Sequence, residues 1–191
     1  MKGALAGFIV RVFAWLPVAF VAWYFAGPVL TWPIAVIVEL VARAEFADLV
    51  RGIEQTRTTL VFATSLKPGV TTAQAAQITV DVDMLLYSFG LPLYAALVLA
   101  AREPGRPRRL LVGYAVLVPF AAWGVLADFL KSVAIASGPA IASQTGFVAW
   151  QREVIAFAYQ FGSLVLPTAV PAVVWVLTHR AFVERLRPGS G

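Results

Sequence analysis

Four stretches of the chain carry no charged residue: Val12–Val38, Met84–Ala101, Leu110–Ala127 and Val154–Thr178. Crossing the hydrocarbon core of a bilayer takes about 20 mostly apolar residues, with a lower limit near 17. Each stretch meets that requirement. The pattern therefore predicts a mainly α, polytopic membrane protein, a four-helix transmembrane bundle. The first span is expected over about Phe8–Ala26 and the others over about 84–101, 110–137 and 152–178. Gly27-Pro28 and Pro33 then predict a bend, because proline removes a backbone donor and crowds the preceding turn. Residues 34–46 resume a helical pattern as a kinked outer continuation, so that 1–46 forms one unit. Gly90-Leu91-Pro92 predicts a kink in the second span, and Gly138-Pro139 the end of the third.

Residues 47–83 are the one polar segment of any length. Thr56–Leu66 reads as a strand. Gln77–Asp83 alternates, with Ile78, Val80 and Val82 on one face and Gln77, Thr79, Asp81 and Asp83 on the other. Lys67-Pro68-Gly69 is a turn signal, and a short helix fits around Thr72–Ala76. A small outer β-hairpin between spans one and two is the expectation. A lone hairpin is marginal in water, so it must pack on its own helices or on a partner.

Charge orients this pattern. Lys2, Arg11, Arg102, Arg106, Arg108, Arg109, Arg180, Arg185 and Arg187 fall on one side if the chain crosses four times, against Glu103 and Glu184 only. Short basic loops stay cytoplasmic. Both termini and the loop 102–109 are thus expected inside a bacterial inner membrane. The net charge of +5 then reports orientation and contact with membrane lipids rather than nucleic acid. Arg11 interrupts what would be the apolar core of a signal peptide, so an uncleaved first span is expected. Residues 188–191 read as a disordered tail, and no internal repeat supports an inverted-repeat transporter.

Chemistry is sparse. The chain has no cysteine and one histidine, His179, which leaves no thiolate nucleophile and no histidine-based triad on the outer face. No cofactor or metal is expected. Asp81 and Asp83 form a D-x-D on a strand face that reads as solvated. Lys131-Ser132 are adjacent on a helix and cannot face each other. Asp128 and Lys131, three apart, share a helical face. Arg152 and Glu153 open the fourth helix, with Gln160 two turns deeper. With Trp123, these form the candidate partner-binding set. Charges at membrane helices usually mark a function or a structural pair. Trp123-Gly124, Tyr159-Gln160-Phe161-Gly162 and Tyr87-Ser88-Phe89-Gly90 read as aromatic and small residues packing helix on helix.

In this order, the run from Tyr87 to Leu93, then Trp123-Gly124 with Asp128 to Lys131, Gly138-Pro139, Arg152-Glu153 and Tyr159 to Gly162, resembles the exosortase H-associated membrane proteins. The likeness extends back to Trp15-Leu16-Pro17 and Trp23-Tyr24. Val82-Asp83-Met84 departs from the Asn-Pro-Leu type of approach to the second span. The resemblance implies a role beside exosortase H, an intramembrane cysteine transpeptidase acting on exported proteins with a C-terminal sorting tail. It implies an accessory subunit rather than an enzyme, binding the exosortase or its sorted substrate. The alternative reading is a small membrane transporter or lipid-handling protein using Asp128 and Gln160.

Overall fold

The computed structural model describes residues 2–67 and 78–186, with side chains for 5–67 and 78–184. Helix α1 (Lys2–Leu30) runs through Gly27-Pro28 and contains both Pro17 and Pro28. The break falls at Thr31, between Pro28 and Pro33, because Pro33 has no N–H to give the preceding turn. Pro33 then occupies the first turn of α2 (Trp32–Glu45), where a missing donor costs nothing. Helix α2 buries Ile34, Ala35, Val38 and Ala42 on one face.

The expected hairpin is a three-stranded antiparallel sheet in the order β1-β2-β3, formed by β1 (Val50–Thr56), β2 (Thr59–Thr64) and β3 (Thr79–Asp83). Strands β2 and β3 are the two expected strands, paired with Leu60 opposite Val82 and Phe62 opposite Val80. Strand β1 was not expected. Its register slips between Val50 and Gly52, and the bulge removes the period-two alternation that marks a strand. Arg57 turns the chain between β1 and β2 at φ +58°. Pro68-Gly69, Thr72–Ala76 and Gln77 lie outside the described residues, as does the tail.

The sheet rests on the chain's own helices. Leu60, Phe62, Val80 and Val82 form its buried face. Phe62 stacks on Phe129 of α5 (Arg106–Lys131) with ring centroids 4.2 Å apart. The second apolar stretch follows β3 directly as α3 (Leu85–Ser88) and α4 (Gly90–Ala101), interrupted at Phe89. Asp83 starts it by accepting the Leu85 N–H at 2.9 Å. Its far end reaches the start of α1, where the Arg11 Nε donates to the Ala100 carbonyl at 2.9 Å.

Helix α5 continues through a π-helical turn, Ser132–Ala136. After a short α6 (Pro139–Ala142), α7 (Ala149–Gln160) passes through a second π-helical turn, Phe161–Val165, into α8 (Leu166–Thr178). Helix α9 (Arg180–Leu186) closes the described chain. Among the described residues, three helical segments are long and apolar enough to cross a membrane: Leu5–Leu30, Arg106–Ala136 and Ala149–Thr178. The fourth expected span, Leu85–Ala101, is shorter than these. It starts straight out of the sheet, which takes up the residues before it.

Candidate partner-binding site

Asp128 and Lys131 sit near the C-terminal end of α5, about 33 Å along the helix from Arg106 at 1.5 Å per residue. The Lys131 ammonium lies 2.8 Å from Asp128 Oδ1 and 4.0 Å above the centre of the Tyr159 ring of α7. Tyr87 of α3 completes the group, within hydrogen-bonding reach of both Asp128 and Tyr159. Its ring, 3% exposed, is seated by a glycine. A Cβ on Gly124 would stand 2.3 Å from the ring, so only glycine admits the tyrosine there. Three helices thus converge on one charged pair closed over by two tyrosines. The π-helical turns of α5 and α7 begin one and two residues beyond Lys131 and Tyr159. Such turns recur at functional sites, where they re-aim side chains by one residue.

The remaining expected residues divide between two other places. Trp123 is half-exposed and donates its Nε1–H to the Ala158 carbonyl at 3.3 Å. It also packs beside Gly162, so it clamps α5 to α7. Gln160 is exposed and does not join the Asp128 pair. Arg152 and Glu153 line a groove of about 460 Å³ against Ile135 and the Gly138-Pro139 bend. Arg152 Nη2 makes one long bond, 3.4 Å, to the Ala142 carbonyl. Its Nε is buried without a hydrogen-bond partner, and no carboxylate pairs with it among the described residues. Beside it, α7 exposes Trp150, Val154 and Phe157 along one stripe.

The family model for exosortase H-associated membrane proteins matches residues 2–182. The chain belongs to this family. No curated protein and no solved structure matches it. For a member of the exosortase H-associated family, the arrangement at this end of the bundle is notable for being divided. Asp128 is paired with Lys131 and Tyr87, whereas Arg152 has no carboxylate partner among the described residues. The D-x-D pair lies apart from both, with Asp81 and Asp83 exposed on β3 and Asp83 capping α3.

The tyrosines of the cluster were legible only as packing residues. Tyr87 and Tyr159 each precede a small residue by three positions, the pattern of close helix contact, and both do pack. Nothing in the local sequence reveals that their hydroxyls meet over Asp128, because that depends on how α3, α5 and α7 cross.

Proposed function

We propose that this chain is a non-enzymatic accessory subunit of an exosortase H type protein-sorting system in the bacterial inner membrane. It binds the transpeptidase, or the tail of the sorted protein, at the outer leaflet. The observation that carries this reading is Arg152. A guanidinium at a membrane boundary is costly unless paired. This one lines a groove beside exposed aromatic residues, and the bond its Nη2 makes to the Ala142 carbonyl is long, 3.4 Å. A carboxylate or a turn of free carbonyls from another protein fits that geometry. Transpeptidation by a thiolate is left to the partner, since this chain has no cysteine.

Topology follows from the same reading. The helix from Leu85 to Ala101 begins beside Gly27 and ends beside Arg11, so it travels the same depth as the apolar part of α1. Its rise is about 25 Å at 1.5 Å per residue, within reach of a core of about 30 Å that thins locally. Four crossings then leave both termini and the 102–109 loop in the cytoplasm. The sheet and the Arg152 groove face outward.

A photo-crosslinking residue in place of Trp150 tests the reading in cells that produce the exosortase and a tailed substrate. Recovery of either protein on the crosslinked chain is expected. Arg152→Gln, at equal abundance, should lower the yield roughly tenfold or more, as for an arginine anchor at an interface. Recovery of neither protein, or an undiminished yield from the variant, rejects the proposal.

A further inference from the structure

A second groove, of about 520 Å³ and almost wholly apolar, lies where α1, α4 and α5 meet. Val18 and Ala22 form one wall, Leu99 part of the floor, and Pro107 and Leu111 the opposite wall. The polar groups along it are already committed. Tyr114 donates its hydroxyl to the Leu30 carbonyl at 2.8 Å, and Tyr94 to the Arg109 carbonyl at 2.9 Å. Trp23 Nε1 reaches Ser88 Oγ at 3.3 Å. The groove therefore offers hydrocarbon contact and nothing else along its length.

One end is different. Leu99 adjoins Ala100, whose carbonyl holds Arg11, and Pro107 stands between Arg106 and Arg108. Arg109 is taken by Glu103 at 2.8 Å. Arg106 is half-buried and has no ion pair among the described residues. These cations also crowd the first turn of α5, where the helix dipole is already positive. At this end the lining residues Leu99 and Pro107 are thus neighboured along the chain by the Arg11 contact and by Arg106 and Arg108, and an apolar slot with arginines next to its end matches one chemistry.

We propose that this groove holds an acyl chain of an anionic phospholipid, with the phosphate among Arg11, Arg106 and Arg108. A partner's transmembrane helix is the poorer fit. By the positive-inside rule it would bring its own basic residues to this same end, setting like charges together. The proposal stands apart from the accessory role and survives its failure, because it concerns the isolated chain.

The test uses the full chain purified in mild detergent and offered equal amounts of phosphatidylglycerol and phosphatidylcholine, with bound lipid read by native mass spectrometry. Phosphatidylglycerol should be retained in preference. Each basic residue near an anionic headgroup contributes about a fivefold factor, so Arg106→Gln with Arg108→Gln should cut the preference by about 25-fold. Ala22→Phe fills the slot while leaving every arginine in place, and it should abolish retention as well. Ala26→Leu serves as the smaller plug if Ala22→Phe fails to assemble. Equal retention of the two lipids overturns the proposal. So does a preference that persists in the plugged variant, since the arginines would then be acting as an open basic surface. A photoreactive residue at Leu111 that captures protein rather than lipid in membranes overturns it too.

Discussion

At the scale of single residues, the charged pair near the C-terminal end of α5 is a matter of who satisfies whom. Asp128 and Lys131 are mostly buried, with side chains 16% and 27% exposed. Removing either leaves the other in a poorly hydrated site with only tyrosine hydroxyls for company. Asp128→Ala and Lys131→Met should each cost about 1–3 kcal/mol. The double variant should cost less than their sum, with a coupling of about 1–2 kcal/mol. Unfolding midpoints in detergent read this directly, and strictly additive losses would show that the pair is incidental. The spacing of the two residues made the pairing legible in the sequence, whereas Tyr87 and Tyr159 became visible only once three helices were placed. His179 tells the opposite story, being a lone polar residue with no sequence pattern around it. It is 1% exposed, stacks on Trp175 at 5.4 Å, and leaves Nε2 without a partner. Burial first, and then the nearby Arg109, push its pKa below the ordinary 6.5. The unfolded chain therefore binds the proton more readily than the folded one. Stability should be complete above about pH 6.5 and should fall as the pH drops below it, by up to about 1.4 kcal/mol per pH unit. His179→Phe should flatten that decline, and thermal unfolding followed down to about pH 5 checks it. A decline of the same slope in the variant would assign it to other groups.

At the scale of elements, the sheet is seated on α5 through one aromatic contact. Phe62 is fully buried from the centre of β2 and stacks on Phe129, while Leu60, Val80 and Val82 fill the space around it. Three strands of five to seven residues make a small sheet that depends on the helix beneath it. Phe62→Ala should cost about 3–5 kcal/mol. It should also raise amide exchange in β2 and β3 well before α5 responds. Uniform loss of protection across sheet and helix would mean that the two unfold as one unit. The sequence announced β2 and β3 because their alternation is clean and their inward residues, Leu60, Phe62, Val80 and Val82, are all apolar. It concealed β1, where Arg51, Gly52 and Glu54 and a register slip erase the period. The helical breaks divide in the same way. Gly27-Pro28 suggests an interruption, yet α1 continues through it to Leu30. Pro33 succeeds because it removes a donor at the same place where α2 must turn to reach α5.

At the scale of the whole molecule, the polar features are segregated along the bundle axis. Arg11, Arg102, Arg106, Arg108 and Arg109 gather at one end, tied to it by the Arg11–Ala100 and Arg109–Glu103 contacts. The sheet, the Asp128 pair and the Arg152 groove gather at the other. Two grooves of different character accompany that polarity: an almost wholly apolar one between α1, α4 and α5, and one lined by Arg152 and Glu153. The absence of cysteine makes the orientation directly testable, because any single cysteine introduced is the sole thiol in the protein. Asp81→Cys, on the exposed face of β3, should react with a membrane-impermeant maleimide in spheroplasts. Arg108→Cys should react only after the membrane is permeabilised. If the helix from Leu85 to Ala101 failed to cross, β3 and the loop after α4 would share one side, and both cysteines would label together. Labelling of Arg108→Cys alone would invert the bundle and place the Arg152 groove in the cytoplasm, where no exported substrate could meet it. The accessory role therefore requires the first pattern, and the lipid slot requires only that the arginines reach a phosphate in either leaflet.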